Sequence, residues 1–185
     1  MLSKDISSIL FPNNIHRFLW AAFPPMPGLK ILEAGCGSGK FGLGYLTYNP
    51  SDVTFMDISE QAKIYNLALR NLLSKVKMVY PSNTWVVGDF HNIPFPDNTF
   101  DLVFNEQALQ YCTNTADAGE VIKEMARVSR DRVIVFVPQD DDGLMGFDPA
   151  LLTALFMMSG LNNVWVQPTD GGWTDSTLLM GMGSK

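Results

Sequence analysis

The sequence predicts an α/β domain with a doubly wound, mostly parallel seven-stranded sheet and an antiparallel C-terminal strand. Three observations lead there. Short apolar runs alternate with helical patterns along the chain, as in sheets covered by helices on both faces. The runs themselves, RVIVFV at 132–137 above all, lack polar alternation and suit strands buried on both sides. The first run opens into a glycine-rich turn, GCGSGKFG at 35–42, where sheets of this kind meet ligands.

The elements follow in order. Residues 13–23 predict a short helix with an asparagine cap, stopped by Pro24 and Pro25. Residues 30–34 (KILEA) are the first strand. Residues 39–48 form a helix weakened by Gly42 and Gly44, each costing about 1 kcal/mol relative to alanine. Residues 53–58 (VTFMDI) are the second strand. Ser59 caps a helix to about Leu73, with Ala62, Leu69 and Leu73 on one face. Residues 84–87 and 101–104 are the third and fourth strands. A helix runs from about Asp117 to Val128, and 132–137 is the fifth strand, closed by Pro138. Asp148-Pro149 starts a helix that Gly160 stops. Residues 163–166 and 176–182 are two final strands joined by PTDGGWTD in a hairpin-like ending.

Composition narrows the function. A length of 185 residues is that of one domain. With 46% hydrophobic and only 17% charged residues, the chain folds and keeps apolar surface for a greasy pocket or a subunit interface, which leaves room for a homo-oligomer. A net charge of −6 without a Lys/Arg cluster excludes non-specific nucleic-acid binding and disfavours an anionic membrane. The longest greasy stretch, 151–158, is too short for a membrane span. Two cysteines, Cys36 and Cys112, form no disulfide framework, and no ligand spacing joins them to His16 or His91, so no metal is expected. No leader is read at the N-terminus, and a cytoplasmic location is the expectation.

Three ligands compete for the glycine turn. A P-loop fails because Phe41 stands where a hydroxyl should hold magnesium and Ala34 where the first glycine should be. A dinucleotide fits the spacing, because Gly37-Ser38-Gly39-Lys40-Phe41-Gly42 matches G-x-G-x-x-G and Asp57 follows at ribose distance in sequence. Glu33 speaks against it, since a carboxylate beside a pyrophosphate costs about 3–4 kcal/mol at an effective dielectric of 20. S-adenosylmethionine is a cation without phosphate, and an acidic neighbour favours it.

With these residues in view, the sequence resembles the class I S-adenosylmethionine-dependent methyltransferases, in the small single-domain group similar to quinone-biosynthesis methyltransferases. Glu33-Ala34-Gly35-Cys36-Gly37-Ser38-Gly39 matches the acidic–x–Gly–x–Gly–x–Gly signature, Gly88-Asp89-Phe90 the third-strand motif, and IPFPDNTFDLVF at 93–104 the run into the fourth strand. The resemblance implies a Rossmann-like fold. It implies a cofactor site of Glu33, Gly35, Cys36, Gly37 and Gly39, with Asp57 on the ribose hydroxyls and Ile58 on the adenine. Asp89 would accept from the adenine amino group, the Phe90 backbone would meet the ring, and Asn105 joins this set. The chain then divides into an N-terminal helical cap (1–27), a cofactor-binding core (28–138) and a C-terminal helix and hairpin (139–185). The expected reaction is methyl transfer to a small-molecule acceptor, with S-adenosylhomocysteine as product. Two sequence features depart from the family. Ser129-Arg130-Asp131 replaces a frequent Pro-Gly-Gly, and Asn105-Glu106-Gln107-Ala108 stands in place of Asn/Asp-Pro-Pro-Tyr, which disfavours adenine or amide nitrogen as acceptor.

Candidates for catalysis are Glu106 as a base or a partner of a cationic substrate, Tyr111 along the methyl path, and His16 as a base. Each has a plainer reading as a helix cap, a packing ring or a structural histidine. Cys112 is expected to be a small buried hydrophobe, and His91 to be structural. Phe11, Phe18, Trp20 and Phe23 form either an apolar lid or a helix face packed on the sheet, and Met157, Met158 and Leu161 are expected in helix core or an interface. A cofactor-binding subunit without catalysis and a nicotinamide oxidoreductase are the competing functions.

Overall fold

The structure is a computed structural model that describes residues 28–46, 52–75, 84–139, 144–170 and 177–185. The helix expected at 13–23, the cap 1–27, His16 and the four aromatic residues before Pro24 lie outside the described residues. In chain order the elements are β1 (Lys30–Ala34), α1 (Lys40–Leu46), β2 (Asp52–Asp57), α2 (Glu60–Lys75), β3 (Thr84–Val87), β4 (Phe100–Glu106), a 3-10 turn (Leu109–Tyr111), α3 (Thr115–Val128), β5 (Ser129–Pro138), α4 (Pro149–Met158), β6 (Asn162–Asp170) and β7 (Thr177–Ser184). One sheet holds all seven strands in the order β3-β2-β1-β4-β5-β7-β6. The first five strands pair in parallel, and β7 runs antiparallel to both of its neighbours. The expected doubly wound sheet with one antiparallel C-terminal strand is present.

Side-chain alternation divides the core between two faces. Val133, Val135 and Val137 of β5 pack with Val121, Ile122 and Met125 of α3 and with Leu152 and Phe156 of α4. Ile134 and Phe136 pack on the opposite face with Phe41 and Leu43 of α1 and Leu69 and Leu73 of α2. All five residues from Val133 to Val137 are fully buried, as the unbroken apolar run predicts. Ser59 and Asp148 cap α2 and α4 as expected, their side-chain oxygens accepting from the Ala62 and Leu151 N–H groups.

Four expectations are corrected. The alternation of strand and helix is broken between β3 and β4, which are joined by residues 88–99 without a helix. Pro94 and Pro96 interrupt any helical ladder there, and the Arg127 guanidinium donates to the Ile93 and Phe95 carbonyls instead. α3 starts before Asp117, because the Asn114 side chain accepts from the Ala116 and Asp117 N–H groups. Pro168 to Asp170 belong to β6 rather than to a turn. β6 is the outermost strand, where proline is tolerated. Met157 and Met158 are exposed, which overturns the helix-core half of their expectation and not the interface half, and Leu161 is core.

At the Ser129-Arg130-Asp131 departure, α3 passes directly into β5. The Ser129 hydroxyl donates to the Arg132 carbonyl at 2.8 Å, and the register shifts between Phe100 and Leu102 opposite it. A short bulge therefore stands where glycines are frequent.

Candidate active site

The strand order reverses between β1 and β4, so a crevice opens beyond their carboxyl ends. A cavity of about 580 Å³ occupies it, within the usual range for a small-ligand site. Each of the first four strands delivers an acidic residue there. Glu33 comes from β1, Asp57 from the end of β2, Asp89 from just after β3, and Glu106 from the end of β4.

The glycine turn is built for close approach. The Gly35 and Cys36 N–H groups both donate to the Met56 carbonyl, tying the turn to β2. Gly35 and Gly39 have φ of +69° and +71°, a region that disfavours side chains. A Cβ on Gly35 would lie 2.7 Å from that of Ala108, and one on Gly39 would strike Asn66 and Phe55. Gly37, at φ +53°, faces open space. The turn thus has backbone on the cavity side and packed side chains behind it, a cradle suited to a ligand held by main-chain groups.

Asp57 closes one wall. Its Oδ2 accepts from the Gly37 N–H at 2.8 Å and its Oδ1 from the Ser59 N–H at 2.9 Å. Ile58 beside it is 72% exposed and lines the cavity, an apolar plate next to a carboxylate. Glu33 is buried, and its Oε2 accepts from the Gly42 N–H at 3.1 Å. Burial, the Glu106 charge and the Asp57 charge push its carboxyl well above the usual 4.5, against the Gly42 N–H. Glu106 is pushed up to about 7 by burial, opposed by the amide of Gln107, which donates to it at 2.9 Å, and by the Lys40 charge. Gln107 adopts φ +51°, a conformation that is costly for a side chain and that concentrates at functional sites.

Glu33, Gly35, Cys36, Gly37, Asp57, Ile58, Asp89, Phe90, Glu106 and Tyr111 all line the cavity. Gly39 and Asn105 stand behind it. Asn105 is fully buried, donating to the Ala34 carbonyl at 2.6 Å and accepting from the Ala108 and Leu109 N–H groups. It braces the β4 turn against β1. The cavity also takes Ser38, Lys40, Gln107 and His91, which the sequence reading did not select. Lys40 and Ser38 lie inside the motif and could have been found from it. Gln107 had no local signal.

His91, expected to be structural and unconnected to the cysteines, sits between two carboxylates and near the Cys112 sulfur. Its Nδ1 lies 2.8 Å from Asp89 Oδ1 and its Nε2 2.6 Å from Asp117 Oδ1. Together with the Cys112 sulfur, His91 and Asp117 place three donor atoms within 4.8 Å of one another. Both ring nitrogens already meet carboxylates, and burial pushes the Cys112 thiol up to about 12. A metal wants a free imidazole nitrogen and a thiolate, so the donor set fits a hydrogen-bonded chain better than an ion.

Comparison with known proteins shows the family and the fold. Residues 32–137 match the family model described as a methyltransferase domain. Over 127 residues the chain is 28% identical to a malonyl-[acyl-carrier protein] O-methyltransferase of Pectobacterium atrosepticum, covering 68% of this chain and 45% of that protein. Over 113 residues it is 31% identical to a cycloartenol-C-24-methyltransferase of Arabidopsis thaliana, covering 61% of this chain and 32% of that protein. The chain thus spans less than half the length of these curated relatives. A magnesium protoporphyrin IX methyltransferase from Synechocystis PCC 6803, solved with bound S-adenosylmethionine, superposes with a TM-score of 0.74 at 17% identity, covering 100% of this chain and 85% of that one. Among the described residues no helix is long and apolar enough to cross a membrane. The family match spans more than half of the chain, and the protein belongs to the S-adenosylmethionine-dependent methyltransferase domain family.

Proposed function

We propose that this chain binds S-adenosylmethionine in the cavity beyond β1 to β4 and methylates a small-molecule acceptor by in-line displacement. The observation that carries the reading is the ring of carboxylates from four strand ends around a glycine cradle. When bound, the cofactor supplies a methyl group on an already activated sulfonium. The chain's residues then hold and orient. Asp57 meets ribose hydroxyls, Ile58 and the Phe90 backbone hold the adenine ring, and Asp89 accepts from the adenine amino group. The glycine turn lets main-chain groups come close to the amino-acid end. The disfavour for a pyrophosphate rests on Glu33, Asp57 and Glu106 together, since burial weakens the hold of Glu33 on its own charge.

The same ring bears on the acceptor. An anionic acceptor would face repulsion from Glu106, whereas a neutral or cationic nucleophile carrying a proton would not. Glu106, shifted to about 7, is suited to accept that proton near neutral pH. Tyr111, exposed at the cavity rim, offers a ring against which an acceptor can stack. These are the roles we assign to Glu106 and Tyr111, with protonic small molecules as the acceptor class.

The test is release of S-adenosylhomocysteine from S-adenosylmethionine across panels of amines, hydroxyl compounds, carboxylates and thiols. Turnover is expected with amine or hydroxyl acceptors. Turnover confined to carboxylates would overturn the acceptor class, and tight cofactor binding without turnover on any panel would favour a non-catalytic subunit.

A further inference from the structure

The carboxylate assigned above to the adenine end does not stand alone. Asp89 Oδ1 accepts from the His91 backbone N–H at 2.9 Å, and the His91 ring turns back so that Nδ1 lies 2.8 Å from the same oxygen. The other ring nitrogen reaches Asp117 Oδ1, in the first turn of α3, at 2.6 Å. Asp117 is itself fixed, because its Oδ2 accepts from the Thr113 N–H and hydroxyl at 2.7 and 2.8 Å. Asp89 lines the cavity, and the two hydrogen bonds that His91 makes to its carboxylate both go to Oδ1. The Phe90 and His91 rings lie 4.9 Å apart.

A neutral imidazole has one N–H, and an imidazolium has two. Only the charged ring can donate to Asp89 and Asp117 at once. In the neutral ring, one of the two short contacts sets a lone pair against a carboxylate. We propose that His91 is a positioning residue for the adenine end of the cofactor site: charged, it ties Asp89 to Asp117 of α3 and steadies the Asp89 carboxylate at the cavity, and on losing its proton it breaks that link, leaving Asp89 held from its own loop alone. Cofactor affinity is then higher with the ring charged. The proposal rests on the S-adenosylmethionine reading above and adds a pH dependence to it.

Among the described residues, the charged groups facing the ring are Asp89 from its own loop and Asp117 from α3. Cys112, from the turn before α3, is a thiol that burial keeps neutral. Partial burial of His91 pulls its pKa down, but hydrogen bonds and charge from the two aspartates outweigh that and hold it above the ordinary 6.5. A histidine raised by its partners keeps their contribution below 6.5 and loses it as pH rises through the folded value. Affinity therefore falls on the alkaline side.

The experiment has two readouts on the full chain. The sequence holds two histidines, so the ring proton signal that disappears in His91→Gln identifies His91 by NMR, and its titration gives the pKa. Calorimetry with S-adenosylhomocysteine from about pH 5.5 to 8.5 then gives affinity for wild type, His91→Gln and Asp117→Asn. Wild type is expected to lose about threefold to fivefold in affinity over the range in which the ring titrates. His91→Gln should bind at the weaker level, with that step gone. Asp117→Asn should move both the ring titration and the affinity step to lower pH, which a merely structural contact would not do. A wild-type profile matching that of His91→Gln, with the ligand still bound, would overturn the role of His91 alone. No binding of S-adenosylhomocysteine at any pH would overturn the cofactor reading and this role with it.

Discussion

Glu106 is under opposed demands. Its unfolded carboxyl titrates near 4.5 and its folded one at about 7, so between those values the folded state holds the extra proton. Stability falls as pH rises through that window and stays reduced above it. Glu106→Gln removes this cost, and we expect it to stabilise the protein by about 1–3 kcal/mol at pH near 8 and by nothing measurable near pH 4. Thermal unfolding at the two pH values checks it. The same substitution should lower turnover of protonic acceptors, because the amide cannot take the proton. In the role proposed for it, Glu106 weakens the fold and serves the reaction, as stability–function trade-offs describe. Much of the candidate site was legible one residue at a time. Charge at the ends of four strands follows from Glu33, Asp57, Asp89 and Glu106 alone. The left-handed Gln107 was not legible, because no glycine or asparagine marks the position. The chain imposes that conformation through the Gln107 N–H, which donates to the Phe136 carbonyl across the sheet at 2.9 Å.

The elements hold the site from behind. Asn66 of α2, almost fully buried, donates to the Ser38 carbonyl at 3.0 Å and fixes the back of the glycine turn. Arg127 of α3 does the same for residues 88–99. Its guanidinium meets Glu124, Asp97 and the Ile93 and Phe95 carbonyls, and Glu124 in turn accepts from the Ile93 N–H. That loop carries Asp89, Phe90 and His91 without a helix to stiffen it. Arg127→Ala is expected to destabilise the protein by about 1–3 kcal/mol, the cost of unpaired backbone acceptors. It should also weaken S-adenosylhomocysteine binding by loosening the adenine wall. Denaturant unfolding and calorimetry measure the two effects. Apolar periodicity made the strands and helices of the described residues readable in advance, and residue type did the same for the caps Ser59 and Asp148. It did not reveal that β6 continues through Pro168 to Asp170, because proline in an apolar-to-polar transition looks like a turn until its place on the outer strand is known. Nor did it place Met157 and Met158, since local spacing does not say which helix face the sheet will cover.

In the molecule as a whole, the sheet separates support from chemistry. Apolar residues on its two faces bury β4 and β5, and the carboxyl ends of the parallel strands gather the polar residues at one rim. The strand order, not the local sequence, brings Glu33 and Glu106 together, since β1 and β4 are neighbours in the sheet but far apart along the chain. The acidic crevice is thus a product of topology acting on four separate motifs, and in the reading proposed above it disfavours a phosphorylated ligand. Calorimetric titration of the full chain with S-adenosylhomocysteine, NADH and ATP in parallel tests that preference. We expect S-adenosylhomocysteine to bind with one site per chain, Asp57→Ala to weaken it by about 1–3 kcal/mol, and neither phosphorylated nucleotide to compete. Binding of NADH or ATP that Asp57→Ala impairs, with no heat from S-adenosylhomocysteine, would contradict it.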